Sequence, residues 1–233
     1  MHLNEKLKDM VKPYNNNFDL PYFRPFVRKG NQTEIDIFLI GINPATPICK
    51  KHMDMDKYIN LLLDYDRFYE EYEKIRLDNG KSKISRTRTG IVNFIEDVSS
   101  QTGKSILETN IIPYPTKNLK CLNKVPEEIK DYAKKIFFSI LLEYSPKILI
   151  VFSKTSLESL IELLYKKEII NYKIEIRKTI KELEDSKTPV IEIIYPNGKK
   201  GAIFCCRHLM YHGINGNSFL KFKRNLIEYI NKL

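Results

Sequence analysis

The sequence predicts an α/β fold in which a mostly parallel sheet is covered by helices on both faces. Short, continuously apolar runs of the kind found in buried strands alternate with longer segments of helical periodicity. Hydrophobic residues make up 42% of the 233 residues, which is enough for a normal core. We expect a single domain over residues 1–233, with a helical insertion around residues 52–80.

The elements of this fold follow one another along the chain. Apolar runs predict buried strands at residues 35–40, 105–112 and 147–152. Helical spacing predicts a helix or helix pair at 55–78 and helices at 90–101, 126–144, 153–165 and 218–231. Ser153 is a candidate cap, and Gly103 follows the second helical segment. Residues 190–195 and 201–206 flank "PNGKK", which predicts a hairpin.

Composition favours some partners and excludes some classes of site. The net charge of +10 favours a polyanionic partner, nucleic acid first, although a general lysine bias is an alternative explanation. The four cysteines form no CxxC pair, so we expect reduced, buried thiols and no zinc or iron–sulfur site. No apolar stretch approaches about 20 residues, and "MHLNEKLKDMVKPY" lacks an apolar signal core. We therefore expect a soluble, cytoplasmic protein.

Polar residues follow the predicted strands. In parallel sheets, ligand sites lie beyond the carboxyl ends of the strands. The polar residues are Gly41-Ile42-Asn43-Pro44, then Asn110 with Pro113-Tyr114-Pro115-Thr116, then Ser153-Lys154-Thr155, then Arg207-His208. Each has a structural alternative. Asn43 could form only an Asx turn, Asn110 could tie down a neighbouring loop, and His208 could be a satisfied structural histidine.

Two further segments have residue types that suit DNA contact. "KSKISRTRTG", residues 81–90, combines lysines, arginines and hydroxyl groups before a helix, as phosphate contacts do, unless it is only a solvated loop. "YHGINGNS", residues 211–218, is a polar, glycine-containing loop with His212 as a second candidate histidine.

Together these pieces resemble the uracil-DNA glycosylase superfamily. Gly41-Ile42-Asn43-Pro44 resembles its first motif in the form of the mismatch-specific and single-strand-selective members, and "GAIFCC" followed by His208 resembles its second. "LETNIIPYPT" resembles the central strand with a base-reading asparagine, and "SRTRTGI" resembles the loop that touches DNA phosphates. The resemblance covers about residues 35–230. It implies a three-layer α/β/α fold with a central, mostly parallel four-stranded sheet.

The resemblance also implies roles for individual residues. Asn43 would position the water that attacks C1′ of an extruded nucleotide, and His208 would donate a hydrogen bond to the leaving base. No metal or organic cofactor is implied, and the partner is duplex or single-stranded DNA bound by a monomer. The implied base-binding residues are Gly41, Ile42, Ala45, Asn110 and Phe68. The implied DNA-binding residues are Ser85, Arg86, Thr87, Arg88, Leu209, Met210, Tyr211 and His212.

Three departures from the family pattern shape the expected activity. The strongest catalysts of the family have Asp where this chain has Asn43, which implies slower water activation. Leu209-Met210 replaces Pro-Ser after the histidine, and Leu209, Met210 or Tyr211 would serve as the wedge that fills the vacated stack. Ala45 stands where uracil-specific members have a bulky tyrosine that excludes substituents at the pyrimidine C5 position. This suggests a C5-substituted pyrimidine as substrate, in repair or in defence against foreign DNA.

Two other functions remain open on the sequence. A catalytically inactive DNA- or base-binding protein of the same fold would keep the basic surface and lose turnover. A nucleoside- or nucleotide-processing hydrolase would act on free nucleosides or nucleotides instead of DNA. The chain has no G-x-x-x-x-G-K-[ST] or G-x-G-x-x-G motif, which weakens phosphate-cradle functions.

Overall fold

The computed structural model describes residues 3–28, 35–172, 174–213 and 215–233. It has a mixed α/β fold with a single six-stranded mixed sheet. The chain divides into two compact units, which are described separately below. The first unit comprises Met1–Gln32, Gly41–Lys83 and Leu107–Glu143, and the second comprises Thr33–Ile40, Ile84–Ile106 and Tyr144–Leu233.

The strands are β1 (Phe26–Arg28), β2 (Ile37–Gly41), β3 (Ile106–Asn110), β4 (Ile148–Phe152), β5 (Ile191–Ile194) and β6 (Lys200–Cys206). Their order in the sheet is β1-β3-β2-β4-β6-β5. The prediction of four strands is therefore wrong, because β1 and β5 extend the sheet at its two edges. β1 has three residues and directly follows Pro25, so it left no periodic signal in the sequence.

Three of the strands run in parallel, as expected. Ile37 of β2 pairs with Ile148 of β4, and Ile148 pairs with Ala202 of β6. The carboxyl ends of β2, β4 and β6 therefore meet at one edge of the sheet. The edge strands are antiparallel: β1 pairs with β3, and β5 pairs with β6, which confirms the predicted hairpin.

The helices are α1 (Leu3–Val11), α2 (Met55–Leu62), α3 (Tyr65–Asp78), α4 (Arg86–Thr102), α5 (Leu119–Asn123), α6 (Glu127–Tyr144), α7 (Lys154–Lys166), α8 (Ile180–Glu184) and α9 (Leu220–Ile230). The predicted helix pair at residues 55–78 is confirmed as α2 and α3. The helices α1, α5 and α8 were not predicted, and two of these have only five residues. None of the helices in the described ranges is long and apolar enough to cross a bilayer.

Local capping explains where the helices begin. Ser153 caps α7 as expected, because its hydroxyl accepts a hydrogen bond from the Ser156 amide. Ser85 caps α4 in the same way through the Arg88 amide, so α4 begins at Arg86 and not at residue 90. Gly103 ends α4 with a positive φ of 65°. The segment expected to be a loop at residues 86–89 is therefore the first turn of a helix.

Two of the four thiols are buried, as the sequence indicated. Cys205 and Cys206 are 0% exposed, and burial raises the pKa of Cys205 to about 12. Cys49 and Cys121 are only half-buried, which corrects the expectation that all four would be buried. The difference follows from position, because Cys205 and Cys206 lie within β6 whereas Cys49 lies in a loop.

At Gly90, α4 packs closely on the segment after His208. A Cβ at Gly90 would run into the carbonyl group of Leu209. We expect Gly90→Ala to lower the free energy of unfolding by about 1–3 kcal/mol through this overlap. The gain in helix propensity, about 1 kcal/mol, offsets only part of it. Urea unfolding measures the change.

Ser99→Ala is the matched control, since Ser99 lies on the same helix and is half-buried. It should leave the free energy of unfolding within about 0.5 kcal/mol of the original value. Equal stability of the two variants would contradict the close packing at Gly90.

Candidate functional site

Asn43 lies in the first unit, in the turn that leaves β2. Its Nδ2 donates to Thr116 Oγ1 at 2.9 Å and to the Pro44 carbonyl at 3.2 Å. Thr116 Oγ1 in turn donates to the Asn118 carbonyl at 2.9 Å, so it can only accept from Asn43. This chain of hydrogen bonds fixes which end of the Asn43 amide is nitrogen.

The other end of the Asn43 amide is available. No residue in the described part of the chain donates to Asn43 Oδ1, and the side chain is only half-buried. The Asx turn considered as an alternative for Asn43 needs this oxygen to accept a nearby backbone N–H, and no such bond is present among the described residues. Asn43 therefore presents an oriented hydrogen-bond acceptor.

Asn110 is the last residue of β3 and belongs to the same unit as Asn43. Its side chain is buried to 7% exposure and makes no hydrogen bond to any described residue. The amide atoms are not fully shielded from solvent, so they are open to hydrogen bonds from a ligand. The structural alternative, in which Asn110 ties down a neighbouring loop, finds no hydrogen bond in the described chain to support it.

Backbone hydrogen bonds hold together the two strand exits that carry these amides. The Ile111 amide donates to the Gly41 carbonyl at 3.0 Å, and the Ile112 amide donates to the Ile42 carbonyl at 2.9 Å. The Thr116 amide donates to the Pro44 carbonyl at 3.1 Å. Gly41 and Ile42 thus act here through their carbonyl groups as supports of the turn.

The other two residues expected to bind a base differ in placement. Ala45 is exposed, which leaves it accessible. Phe68 lies on α3 and is 1% exposed, and the Arg24 guanidinium lies 5.0 Å from the centre of its ring. A base cannot stack on Phe68 without displacing packed residues, so its placement argues against the stacking role.

His208 lies in the second unit, directly beyond the carboxyl end of β6. The ring is half-buried and meets Phe152 edge-on, with 5.6 Å between the ring centres. His208 Nδ1 accepts a hydrogen bond from the Met210 amide at 3.2 Å. Within the described residues, Nε2 has no hydrogen-bond partner.

This geometry determines the protonation of the ring. A backbone N–H always donates, so Nδ1 must be unprotonated and the proton of the neutral ring lies on Nε2. Burial lowers the pKa of His208 below its usual value, which keeps the ring neutral near pH 7. His208 therefore presents an Nε2–H donor without a positive charge.

Arg207, which precedes His208, is held by an ion pair. Its Nε lies 2.9 Å from Glu184 Oε2, and its backbone amide donates to the same oxygen at 2.9 Å. The Glu184 side chain is 1% exposed. Because the side chain and the backbone amide of Arg207 both bind Glu184, Glu184 fixes the backbone immediately before His208.

The segment after His208 is a short 3-10 turn, Leu209–Tyr211. Leu209 is 0% exposed, so it anchors the turn and cannot be the wedge considered from the sequence. Met210 and Tyr211 are 39% and 59% exposed, and both remain available for that role. Ile214, in the loop at residues 211–218, lies outside the described residues.

His212 is also a core residue, which corrects its assignment to DNA contact. It is 2% exposed, and its ring packs against Phe94 and Phe219. Burial lowers the pKa of His212. Its Nε2 lies 4.0 Å from Asp97 Oδ2, and Asp97 is hydrogen-bonded to Lys223.

The expected phosphate-contacting residues at the start of α4 are divided between surface and interior. Arg86 is exposed, and Ser85 and Thr87 are half-buried. Arg88 is buried at 9% exposure, so it is not available at the surface. Helical periodicity causes this division, because Arg86 and Arg88 face nearly opposite sides of the first turn.

Two residues of the first unit contribute to the site without having been singled out individually. Thr116 orients Asn43, and Arg24 donates to the backbone of the turn after Asn43. A signal for Arg24 was present, since it is a charged residue within the aromatic, proline-bounded run "PYFRPF". Such a residue is buried only when it has specific partners.

No protein-family model matches the chain, and no curated protein matches it either. The resemblance to the glycosylases therefore depends on the motif residues alone.

The lowered pKa of His208 predicts a pH dependence of stability. An unfolded histidine has a pKa of about 6.5, so below that pH the unfolded chain binds a proton that folded His208 does not. His208 thus makes the free energy of unfolding fall as pH drops through about 6.5, and it contributes no slope at higher pH.

His208→Asn tests this, because an Asn oxygen can still accept from Met210 but does not titrate. Urea unfolding between about pH 7 and pH 5.5 should show a shallower loss of stability in this variant than in the original chain. His52 and His212, whose pKa values are also lowered, continue to contribute in both proteins. Identical slopes would show that His208 titrates normally.

Proposed function

We propose that this protein is a DNA glycosylase that hydrolyses the N-glycosidic bond of a base flipped out of DNA. The observation that carries the proposal is the Asn43 amide, whose nitrogen is fixed by Thr116 while its oxygen has no partner among the described residues. A half-buried, oriented acceptor of this kind suits the capture of a water molecule. We also propose a three-layer α/β/α arrangement in which the carboxyl ends of the strands face DNA.

Asn43 acts by orienting the nucleophile. Its Oδ1 accepts a hydrogen bond from a water molecule, whose oxygen attacks C1′ as the bond from C1′ to the base nitrogen breaks. An amide cannot take up the proton of this water, which passes to solvent. The reaction is therefore slower than with a carboxylate at the same position, and it requires a base that leaves readily.

His208 acts on the leaving base. The base departs as an anion with negative charge on one of its carbonyl oxygens, and the Nε2–H of neutral His208 donates a hydrogen bond to that oxygen. The Met210 amide on Nδ1 supports this role because it holds the proton on Nε2. A single positioned donor of this type contributes about 100- to 1,000-fold to the rate.

Asn110 reads the edge of the base. Its unpaired amide offers a donor and an acceptor, which is the pattern that a pyrimidine edge requires. Ala45, exposed after the motif proline, leaves room for a substituent at C5. The proposed substrate class is accordingly a C5-substituted pyrimidine, with uracil as a poorer substrate.

DNA binding is assigned to the exposed members of the predicted set. Arg86 at the start of α4 contacts a phosphate, and Met210 or Tyr211 fills the space left by the flipped base. The net charge of +10 supports binding to a polyanion. We further propose that the protein is a cytoplasmic monomer that acts in DNA repair or in defence against foreign DNA.

Replacement of the two proposed catalytic residues tests the reaction. Alkali-treated oligonucleotides should break at abasic sites after incubation with the original chain, and mass analysis should detect the free base. Asn43→Ala should reduce the cleavage rate by about 100-fold or more with little change in DNA affinity. His208→Ala should reduce it by about 100- to 1,000-fold. The double variant should lose less than the product of the two effects, as expected for residues that act on one step.

The substrates include duplex and single-stranded DNA with uracil, thymine and C5-modified pyrimidines, as well as free nucleosides. DNA binding without any base release would identify a base-binding protein of this fold. Release from nucleosides but not from DNA would identify a nucleoside hydrolase. Efficient release of uracil with none of the C5-modified bases released would overturn the assignment of substrate class.

The orientation of Asn43 by Thr116 is testable separately. Thr116→Val removes the acceptor for Asn43 Nδ2 at nearly constant volume, so the amide can rotate and its oxygen no longer has a fixed direction. We expect kcat to fall by about 10- to 100-fold while KM changes little.

Thr102→Val is the matched control for this substitution. It also removes a threonine hydroxyl bonded to a backbone carbonyl, that of Val98 at 2.7 Å, whereas the described hydrogen bonds of Asn43 go to Thr116 and Pro44. The control should keep its kcat. An equal loss of kcat in both variants would show a general effect of lost stability and not of Asn43 orientation.

A further inference from the structure

Arg24 is a buried charged residue of the first unit with an unusually complete set of partners. Its exposure is 3%. Burial of a guanidinium costs free energy unless its N–H groups are satisfied. Its hydrogen bonds therefore indicate which parts of the unit it holds together.

The guanidinium binds the turn that follows Asn43. Nη1 donates to the Ala45 carbonyl at 3.0 Å, and Nη2 donates to the Thr46 carbonyl at 2.8 Å. Two parallel bonds from one planar group fix both the position and the direction of the peptide between them.

The backbone of the same residue binds the loop that follows Asn110. The Arg24 amide donates to the Pro113 carbonyl at 2.8 Å. The neighbouring Tyr22 amide donates to the Ile48 carbonyl at 2.8 Å. Arg24 thus connects Pro113, three residues after Asn110, to Ala45 and Thr46, which follow Asn43 by two and three residues.

Aromatic residues of α2 and α3 hold the guanidinium in place. It lies 5.0 Å from the ring centre of Phe68 and 5.7 Å from that of Tyr72, and its Nε donates to the Tyr58 hydroxyl at 3.2 Å. These helices occupy the region predicted as an insertion. Their contacts with Arg24 explain why Phe68 is buried and not open to a base.

The backbone of the turn is strained at Thr46. Its φ is +59°, a conformation that β-branched residues rarely adopt. The Thr46 carbonyl accepts from Arg24, and its hydroxyl donates to Tyr72 at 3.0 Å. Strain of this kind persists only where surrounding contacts determine the backbone, and it is common beside functional sites.

We propose that Arg24 is a positioning residue that sets the spacing between the Asn43 and Asn110 amides and thereby the base selectivity of the site. This inference depends on the proposed function, since Asn43 orients water and Asn110 reads the base. In this proposal Arg24, which is buried, contacts neither the substrate nor the attacking water. It acts through the two backbone segments that carry these amides.

Arg24→Lys is the informative variant. Lysine keeps the positive charge but has no planar fork, so it cannot hold the Ala45 and Thr46 carbonyls in the same geometry. We expect kcat to fall by about 10- to 100-fold, with a smaller change in KM for DNA. The ratio of kcat/KM between the best and second-best base should also change, because selectivity depends on the positions of the polar groups that read the base.

Arg76→Lys is the matched control. Arg76 is also a buried arginine of this unit, at 8% exposure, with its Nε bonded to the Ser82 carbonyl and its guanidinium 5.9 Å from the Tyr72 ring centre. It has no hydrogen bond to the turn after Asn43. It should lose stability without a change in selectivity.

Hydrogen exchange gives a readout that does not require activity. Peptides covering residues 41–48 and 110–116 should exchange faster in Arg24→Lys and remain unchanged in Arg76→Lys.

If Arg24→Lys does not fold, Tyr72→Phe replaces it, because it removes the hydroxyl bonded to Thr46 and keeps the ring beside Arg24. Tyr72→Phe should produce a smaller change in the same peptides and in the same selectivity ratio.

The outcomes separate this inference from the proposed function. If the original chain releases no base from any substrate, the proposed function fails, whatever the exchange data show. If the original chain is active but Arg24→Lys keeps its selectivity and its exchange rates, the role of Arg24 is overturned. Equal changes of selectivity in Arg24→Lys and Arg76→Lys would also overturn it.

Discussion

The fold depends on the parallel pairing of three strands that are apolar on both faces. β2, β4 and β6 bury every residue between Ile37 and Ile40, between Ile148 and Phe152, and between Gly201 and Cys206. Strands of this type cannot lie at a surface, because both faces need apolar cover. Their carboxyl ends must then lead into turns at one edge, where polar residues regain access to water. The location of the candidate residues follows from this constraint.

The turns at these ends share one physical feature, which is that a hydrogen bond fixes the orientation of the Asn43 amide and the tautomer of the His208 ring. Thr116 decides the direction of the Asn43 amide, and the Met210 amide decides the tautomer of His208. Each contact uses one polar atom of the side chain and leaves the other without a partner among the described residues. The result is an oriented acceptor at Asn43 and an uncharged donor at His208.

Sequence patterns located most of the elements and the candidate residues at their ends. The hairpin, the helix pair and the buried strands all have a periodicity that the chain reveals locally. The same patterns failed where an element is very short, as in β1, or where a cap extends a helix, as Ser85 does for α4. They also failed for Phe68 and Leu209, since an aromatic or apolar residue has the same signature in a core as at a binding surface.

The sequence by itself determined the α/β class, the basic charge and the placement of Asn43, Asn110 and His208 at or just beyond the ends of strands, because each depends on neighbouring residues. Tertiary structure alone decided which atom of the Asn43 amide remains available, since its partner is distant in the chain. Thr116 lies 73 positions from Asn43. The Arg24 guanidinium likewise binds the Ala45 and Thr46 carbonyls, which are distant from it in the chain, because a buried guanidinium must find carbonyl groups wherever the folded chain provides them.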